Sequence, residues 1–403
     1  MDGGEGIRNG GGAPVIVSND PSAFPWSVWH HRHPPLVRRI EERFPYGPEH
    51  RAALEQLLDE TLNGRIEPLP SSARGAGLWN GRWDRGHYGE RWADAPFLWA
   101  ESYFYRRLQE ATGYFAADGP WRGIDFFAPA KRAELSGDAV GGELAVLDSL
   151  CARPADARTD ALLSGSVWGN RADLGFQITA GDGDGPSQRQ TEQNLIADDR
   201  TELRALLTET GQQRGRLVFV ADNAGRELLW DLVLIDQLLT SGQAADVLLH
   251  LKPHPYYVSD ATPEDLLDCL RRLRGESGAA GEAGGRLWRA LAEGRLVPRA
   301  HPFSCAPLPY SEMPDDLRAD FGSASLTLMK GDLNYRRLVG DRLWPATTPF
   351  SRATAYFPGP VAALRTLKSE VVTGLGGTLL EELEATGEDW RTSGSYALVQ
   401  VRF

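Results

Sequence analysis

The sequence predicts a layered α/β protein with a largely parallel sheet, preceded by a helical part. Three observations carry this. From about residue 34 to 165 the apolar residues recur at intervals of three and four, the rhythm of buried helix faces. After the Gly- and Asp-rich stretch TAGDGDGPSQRQ (179–190), short apolar runs alternate with helical patterns, as in a parallel sheet crossed by helices. Finally, 403 residues with 41% hydrophobic content can build a large core, in two domains or in one large domain with an appendage.

Taken in order, the opening MDGGEGIRNGGGA lacks the basic start and apolar middle of a signal peptide, and residues 1–20 are expected to form a disordered tail. Helices are expected in PEHRAALEQLLDETLNG (48–64), APFLWAESYFYRRLQEATG (95–113) and AKRAELSGDAVGGELAVLDSL (130–150), giving an N-terminal helical domain over 21–165. The second domain, 166–403, is expected to carry strands at 216–221, 245–251, 295–299, 324–329 and 365–372, with a closing strand in SYALVQVRF (395–403). RGESGAAGEAGG (274–285) reads as a flexible surface loop, and SGSVWGNRADLGF (164–176) as a bridge able to reach the site. No internal repeat is found.

Composition excludes several functions. A formal net charge of −12 repels polyanions, so no nucleic-acid partner is expected. No apolar stretch is long enough to cross a bilayer, so no membrane partner is expected either. Cys151, Cys269 and Cys305 have neither metal-ligand spacing nor the number for a disulfide framework, which suits a cytoplasmic location. The three histidines of WHHRHPP (29–35) match no zinc pattern, and a Pro-flanked lead-in to a helix explains them at less cost. Glu101, inside the aromatic helix, is expected at the core edge, paired with Arg106 or Arg107.

Chemistry concentrates where apolar runs stop. In LVFVADNAGRELLWD (217–231), Asp222 and Asn223 follow a strand and precede a helix, at the carboxyl edge where open α/β sheets bind ligands. A simple helix cap is the competing reading, and for Asp260, in KPHPYYVSD before a helix start, a turn residue competes on even terms. Together the three supply oxygen donors of the kind that Mg²⁺ or Mn²⁺ prefers. KGDLNYRRL (330–338) adds Asp332, Asn334 and Arg336, an acceptor, an amide and a planar donor fork. Lys368, in RTLKSE, adds a point charge suited to phosphate.

The motifs DNAGRELLWDLVLID, PYYVSD, MKGDLNYRRL and LRTLKSEVV, with APFLWAESYFYRRL and VWGNRADL upstream, resemble those of the metal-dependent damage-control phosphatases, in the branch also associated with methylation of acidic residues. The resemblance runs in order from about Trp92 to Phe403. It implies a three-layer α/β/α sandwich with a largely parallel, Rossmann-like sheet and an N-terminal helical domain. It also implies that Asp222, Asn223 and Asp260 are metal ligands and catalytic, with Lys368 catalytic and substrate-binding. Glu227, Asp332, Leu333, Asn334, Tyr335, Arg336 and Asn170 then complete the substrate site. Arg226, Arg171, Ala172 and Gly175 depart from the usual pattern without touching the ligands.

The function expected is hydrolysis of a small phosphomonoester with a divalent metal, Mn²⁺ before Mg²⁺, Co²⁺ or Ni²⁺; the resemblance implies a sugar phosphate such as fructose 1-phosphate as the ester. Whether water or a carboxylate such as Asp222 attacks stays open. The rival readings are S-adenosylmethionine-dependent methylation of protein carboxylates and a metabolite-binding protein without turnover.

Overall fold

The structure, a computed structural model, describes residues 12–169 and 193–403. Its centre is a seven-stranded sheet of β1 (Leu195–Asp198), β2 (Arg216–Val220), β3 (Asp246–Leu251), β4 (Leu296–Ala300), β5 (Leu326–Lys330), β6 (Val361–Thr366) and β7 (Ala397–Arg402), in the order β1-β7-β6-β5-β2-β3-β4. All neighbours run parallel except β6 and β7.

The main helices are α1 (His33–Arg43), α2 (Pro48–Asn63), α3 (Phe97–Ala111), α4 (Ala128–Ser136), α5 (Asp138–Cys151), α6 (Ala155–Trp168), α7 (Arg200–Gln212), α8 (Arg226–Thr240), α9 (Pro263–Gly275), α10 (Gly278–Ala292), α11 (Asp315–Gly322), α12 (Asp332–Val339) and α13 (Gly377–Ala385). They sandwich the sheet because its central strands are apolar on both faces. Leu217 and Phe219 point into one core with residues of α5 to α10, whereas Val218 and Val220 point into the other with residues of α1 to α3, α11 and α12. A layered α/β fold with a mostly parallel sheet is what the sequence rhythm predicted, and the sandwich is what the family resemblance implied.

Several local expectations are corrected. Residues 13–18 do not belong to a tail: Ala13, Ile16 and Ser18 are buried, Leu343 N donates to Pro14 O and Phe97 N to Ile16 O. Their apolar residues find partners remote in sequence, which composition alone cannot reveal. The cores also do not divide near residue 165, since α5 and α6 share one with the sheet. The strand expected at 365–372 is Val361–Thr366, and the apolar residues Leu367, Val371 and Val372 lie in the buried loop that follows. Short β1 was not foreseen. The Gly-rich 274–285 stretch is mostly helix, because its small residues permit close packing. A Cβ on Gly284 would collide with the backbone of Arg274.

The sheet order places the site. The chain leaves β2 toward β3 but leaves β5 toward β6, on the opposite side. The carboxyl ends of β2 and β5 thus flank a topological switch point, where helix N-termini open a crevice.

Candidate functional site

Asp222 comes two residues after β2. Gly225, at φ +68°, then turns the chain into α8, and Arg226 N donates to Glu134 on α4 at 3.3 Å. A second loop, after β3, carries Asp260. The two loops are joined through their main chains: Ala261 N donates to Asp222 O at 2.8 Å and Ala224 N to Ser259 O at 2.7 Å. Asp222 and Asp260 are both buried. The turn after β5 closes over them at Gly331, φ +80°, where any Cβ would overlap the Asp222 carboxylate.

Negative charge is concentrated here and held out of water. Burial first, then repulsion from Glu227 and Asp260, holds Asp222 well above the usual carboxylate range. Burial also raises Asp260, against the pull of Lys252. Asp260 Oδ2 makes no hydrogen bond among the described residues, and the Lys252 ammonium stands 3.5 Å from it. Two buried carboxylates side by side, one with an oxygen that accepts no hydrogen bond and meets an ammonium at 3.5 Å, fit a hard divalent cation. Among the described residues no three His, Cys, Asp or Glu side chains form a group that could hold a metal ion; the oxygen donors brought together on the two loops are Asp222, Asp260 and the Asn223 amide.

That amide turns its Nδ2 edge to Asp222 Oδ2 (2.9 Å) and Glu227 Oε2 (2.8 Å), while Ser259 Oγ donates to its Oδ1 at 2.6 Å. Ligation through Oδ1 requires the amide reversed. The Ser259 hydroxyl tolerates this because it accepts as readily as it donates.

Three buried lysines balance the acids. Lys252 Nζ also donates to Ser304 O at 3.2 Å. Lys330, closing β5, lies 3.4 Å from Glu227 and 3.2 Å from Asp231, and donates to Ser166 O. Lys131 on α4 bridges Asp125 and Asp265 at 2.7 Å each and donates to Asp260 O at 3.4 Å.

The DLNYR run is tied into the fold at each of its polar side chains. Asp332 accepts from Arg365 Nε (2.8 Å), Ser369 Oγ (3.1 Å) and Lys368 N (3.1 Å), bracing the loop that carries Lys368. Burial opposes its charge, but Arg365 overcomes this and holds Asp332 below the usual range. Asn334 Nδ2 donates to Ala221 O and Lys330 O, tying the ends of β2 and β5 together. Leu333 is buried, and the Tyr335 hydroxyl meets Thr373 and Gln400 in the core. Arg336 engages Asp341 at 2.7 and 3.2 Å and Glu101 at 3.1 Å. Lys368 is exposed, and its charge acts on Asp222 and Glu134.

The structure therefore gathers Asp222, Asn223, Glu227 and Asp260, with Lys368 facing them, and sends the Asn334, Tyr335 and Arg336 side chains inward. Asn170 lies outside the described residues. Glu101 does not pair with Arg106 or Arg107, whose partners are Glu110 and Glu60; it reaches across to Arg336 because burial demands a cation and α12 supplies one. Sequence reading missed Lys252, Lys330 and Asp231. A signal existed for the lysines: Lys330 ends the buried strand β5 and Lys252 directly follows β3, where an unpaired charge would be costly.

The model of the damage-control phosphatase ARMT1-like domain matches residues 29–383. Damage-control phosphatase ARMT1 of Mus musculus is 34% identical over 335 residues, covering 77% of this chain and 75% of that protein. The Homo sapiens protein of the same name is 32% identical over 337 residues, with 77% and 75% covered. The solved structure of a DUF89-family protein from Pyrococcus horikoshii aligns with a TM-score of 0.48 at 14% identity, over 93% of this chain and 96% of that one.

Proposed function

Because this chain belongs to the damage-control phosphatase ARMT1-like family and is a phosphatase, we propose that it hydrolyses a small sugar phosphate, of the fructose 1-phosphate kind, with a divalent cation, Mn²⁺ foremost. One observation carries the reading: Asp222 and Asp260, on the joined loops that follow two adjacent parallel strands, are buried together, with Asp260 Oδ2 approached by the Lys252 ammonium at 3.5 Å and making no hydrogen bond among the described residues.

Asp222, Asn223 and Asp260 would hold the cation. Bound there, it supplies positive charge and Lewis acidity toward phosphate oxygens. The chain's own part is positioning. The first backbone amides of α12, those of Leu333 and Asn334 among them, have no intrahelical acceptors and point their dipole at the switch point, where a phosphate group is favoured. Lys368 adds a charge from the facing loop, kept in place by Asp332. Arg336 and Tyr335 serve the substrate by fixing α12, while Glu227 and Asn170 bind the hydroxyl-rich remainder.

No described helix is long and apolar enough to cross a membrane. A cytoplasmic setting, suggested by three free cysteines, and the lack of a nucleic-acid partner belong to the same proposal.

The test is a phosphate-release screen over sugar phosphates and nucleotides, with Mg²⁺, Mn²⁺, Co²⁺ and Ni²⁺ compared and methyl incorporation measured on the same preparation. Release that needs a divalent ion and disappears in Asp222→Ala is expected. Release that persists after exhaustive chelation, or methyl transfer without any release, would overturn the reading.

A further inference from the structure

The loop that delivers Asp260 has an unusual backbone. Tyr257 and Val258 both adopt positive φ, +41° and +57°, and neither is glycine. A β-branched residue there is a steric outlier, held only when its surroundings impose it. Immediately afterwards come Ser259, which donates to Asn223, and Asp260.

Helix α3 packs along this turn. Three successive turns of one helix face lie along the loop, at residues 101–102, 105 and 109. Gln109 Nε2 donates to Pro255 O and contacts His254 Nδ1 at 2.9 Å. Tyr105 packs on the Tyr257 ring with centroids 4.5 Å apart. Ser102 Oγ meets the Tyr257 hydroxyl at 3.2 Å, and the preceding residue on α3, Glu101, holds Arg336.

We propose that Tyr257 is a positioning residue: its hydroxyl, fixed by Ser102 on α3, holds the strained Tyr257–Val258 turn that sets Ser259 and Asp260 against Asp222 and Asn223. The N-terminal helix thereby shapes the metal site without touching it. This rests on the metal reading of Asp222 and Asp260.

The experiment compares wild type, Tyr257→Phe, Ser102→Ala and Tyr257→Phe/Val258→Gly. Mn²⁺ affinity is measured by titration calorimetry, and amide exchange of Ala224 and Ala261, which donate across the two loops, is measured in chelated protein. Removing the hydroxyl should weaken Mn²⁺ binding and speed exchange at both amides by about tenfold, the scale of one lost hydrogen bond. Ser102→Ala should reproduce part of this from the helix side. Glycine at 258 accepts positive φ at little steric cost, so the double variant should recover most of the affinity. An ordinary packing contact would show no such recovery. Wild-type affinity in Tyr257→Phe and Ser102→Ala, or a loss that Val258→Gly leaves uncorrected, overturns the positioning role alone. Absence of Mn²⁺ binding in wild type overturns the metal reading, and this inference with it.

Discussion

Glu101 and Arg336, 235 positions apart in the chain, meet in a buried ion pair at 3.1 Å. Burial pushes the Glu101 pKa up and Arg336 pulls it back. The pair joins α3 to α12, and the other edge of the guanidinium rests on Asp341. Glu101→Gln keeps an acceptor but removes the charge. It should lower unfolding free energy by about 2 kcal/mol, less than the roughly 3–5 kcal/mol typical of deleting one partner of a buried pair. Denaturant unfolding measures this, and an unchanged midpoint and slope would mean that Asp341 alone suffices.

Asp222→Asn should separate stability from activity. In cation-free protein the substitution removes a buried charge that faces Glu227 and Asp260, so the melting temperature in chelator should rise by a few degrees, about 1 kcal/mol. The same variant should lose metal-dependent phosphate release by at least about 10²-fold. A melting temperature that falls in chelator would contradict the repulsion argument.

Lys368→Met retains much of the apolar stem and removes the charge. Because the side chain is exposed, stability should not change, while kcat/KM for a sugar phosphate should drop by about 10²-fold, near the loss of one transition-state donor. Steady-state kinetics beside a thermal melt decide it. Unaltered kcat/KM would leave Lys368 a surface lysine.

Two buried histidines and a third, partly buried one predict acid sensitivity. Burial lowers His33 and His250 to about 3 and His254 to about 4. The unfolded chain takes up these protons first, so their contribution to stability is complete above about pH 6.5 and is lost as pH falls toward 3–4. Each histidine adds a slope of about 1.4 kcal/mol per pH unit within that window. His33 stacks on Phe104 at 4.0 Å with neither ring nitrogen bonded. His33→Phe should therefore flatten the decline between pH 6.5 and 4.5 by about one such slope. Chemical unfolding at several pH values checks it, and parallel curves for the two proteins would refute it.

How far the sequence revealed this site depends on the range of the interactions. Asp222 and Asn223 were legible because a strand-turn-helix rhythm is local, and the same rhythm put Asp260 after β3. The partners that make these acids tolerable were not, since Lys131 lies 129 positions from Asp260 and Lys330 103 from Glu227. DLNYR was legible as a motif, but periodicity could not say that Asn334 would tie two strand ends while Arg336 turned toward Glu101. The 274–285 stretch failed for another reason: glycine for close packing and glycine for flexibility have the same composition.

The late position of β5 bears on how the protein is made. A nascent chain that has emerged as far as α9 already carries both acidic loops, yet it lacks the strand that flanks β2, the Gly331 turn over Asp222, and Lys330 opposite Glu227. Until about residue 340 has been added, β2 presents an open edge and α3 has no Arg336 to meet. A chain terminated before β5 would therefore lack the turn that closes over Asp222 and the lysine opposite Glu227, and is expected to release no phosphate.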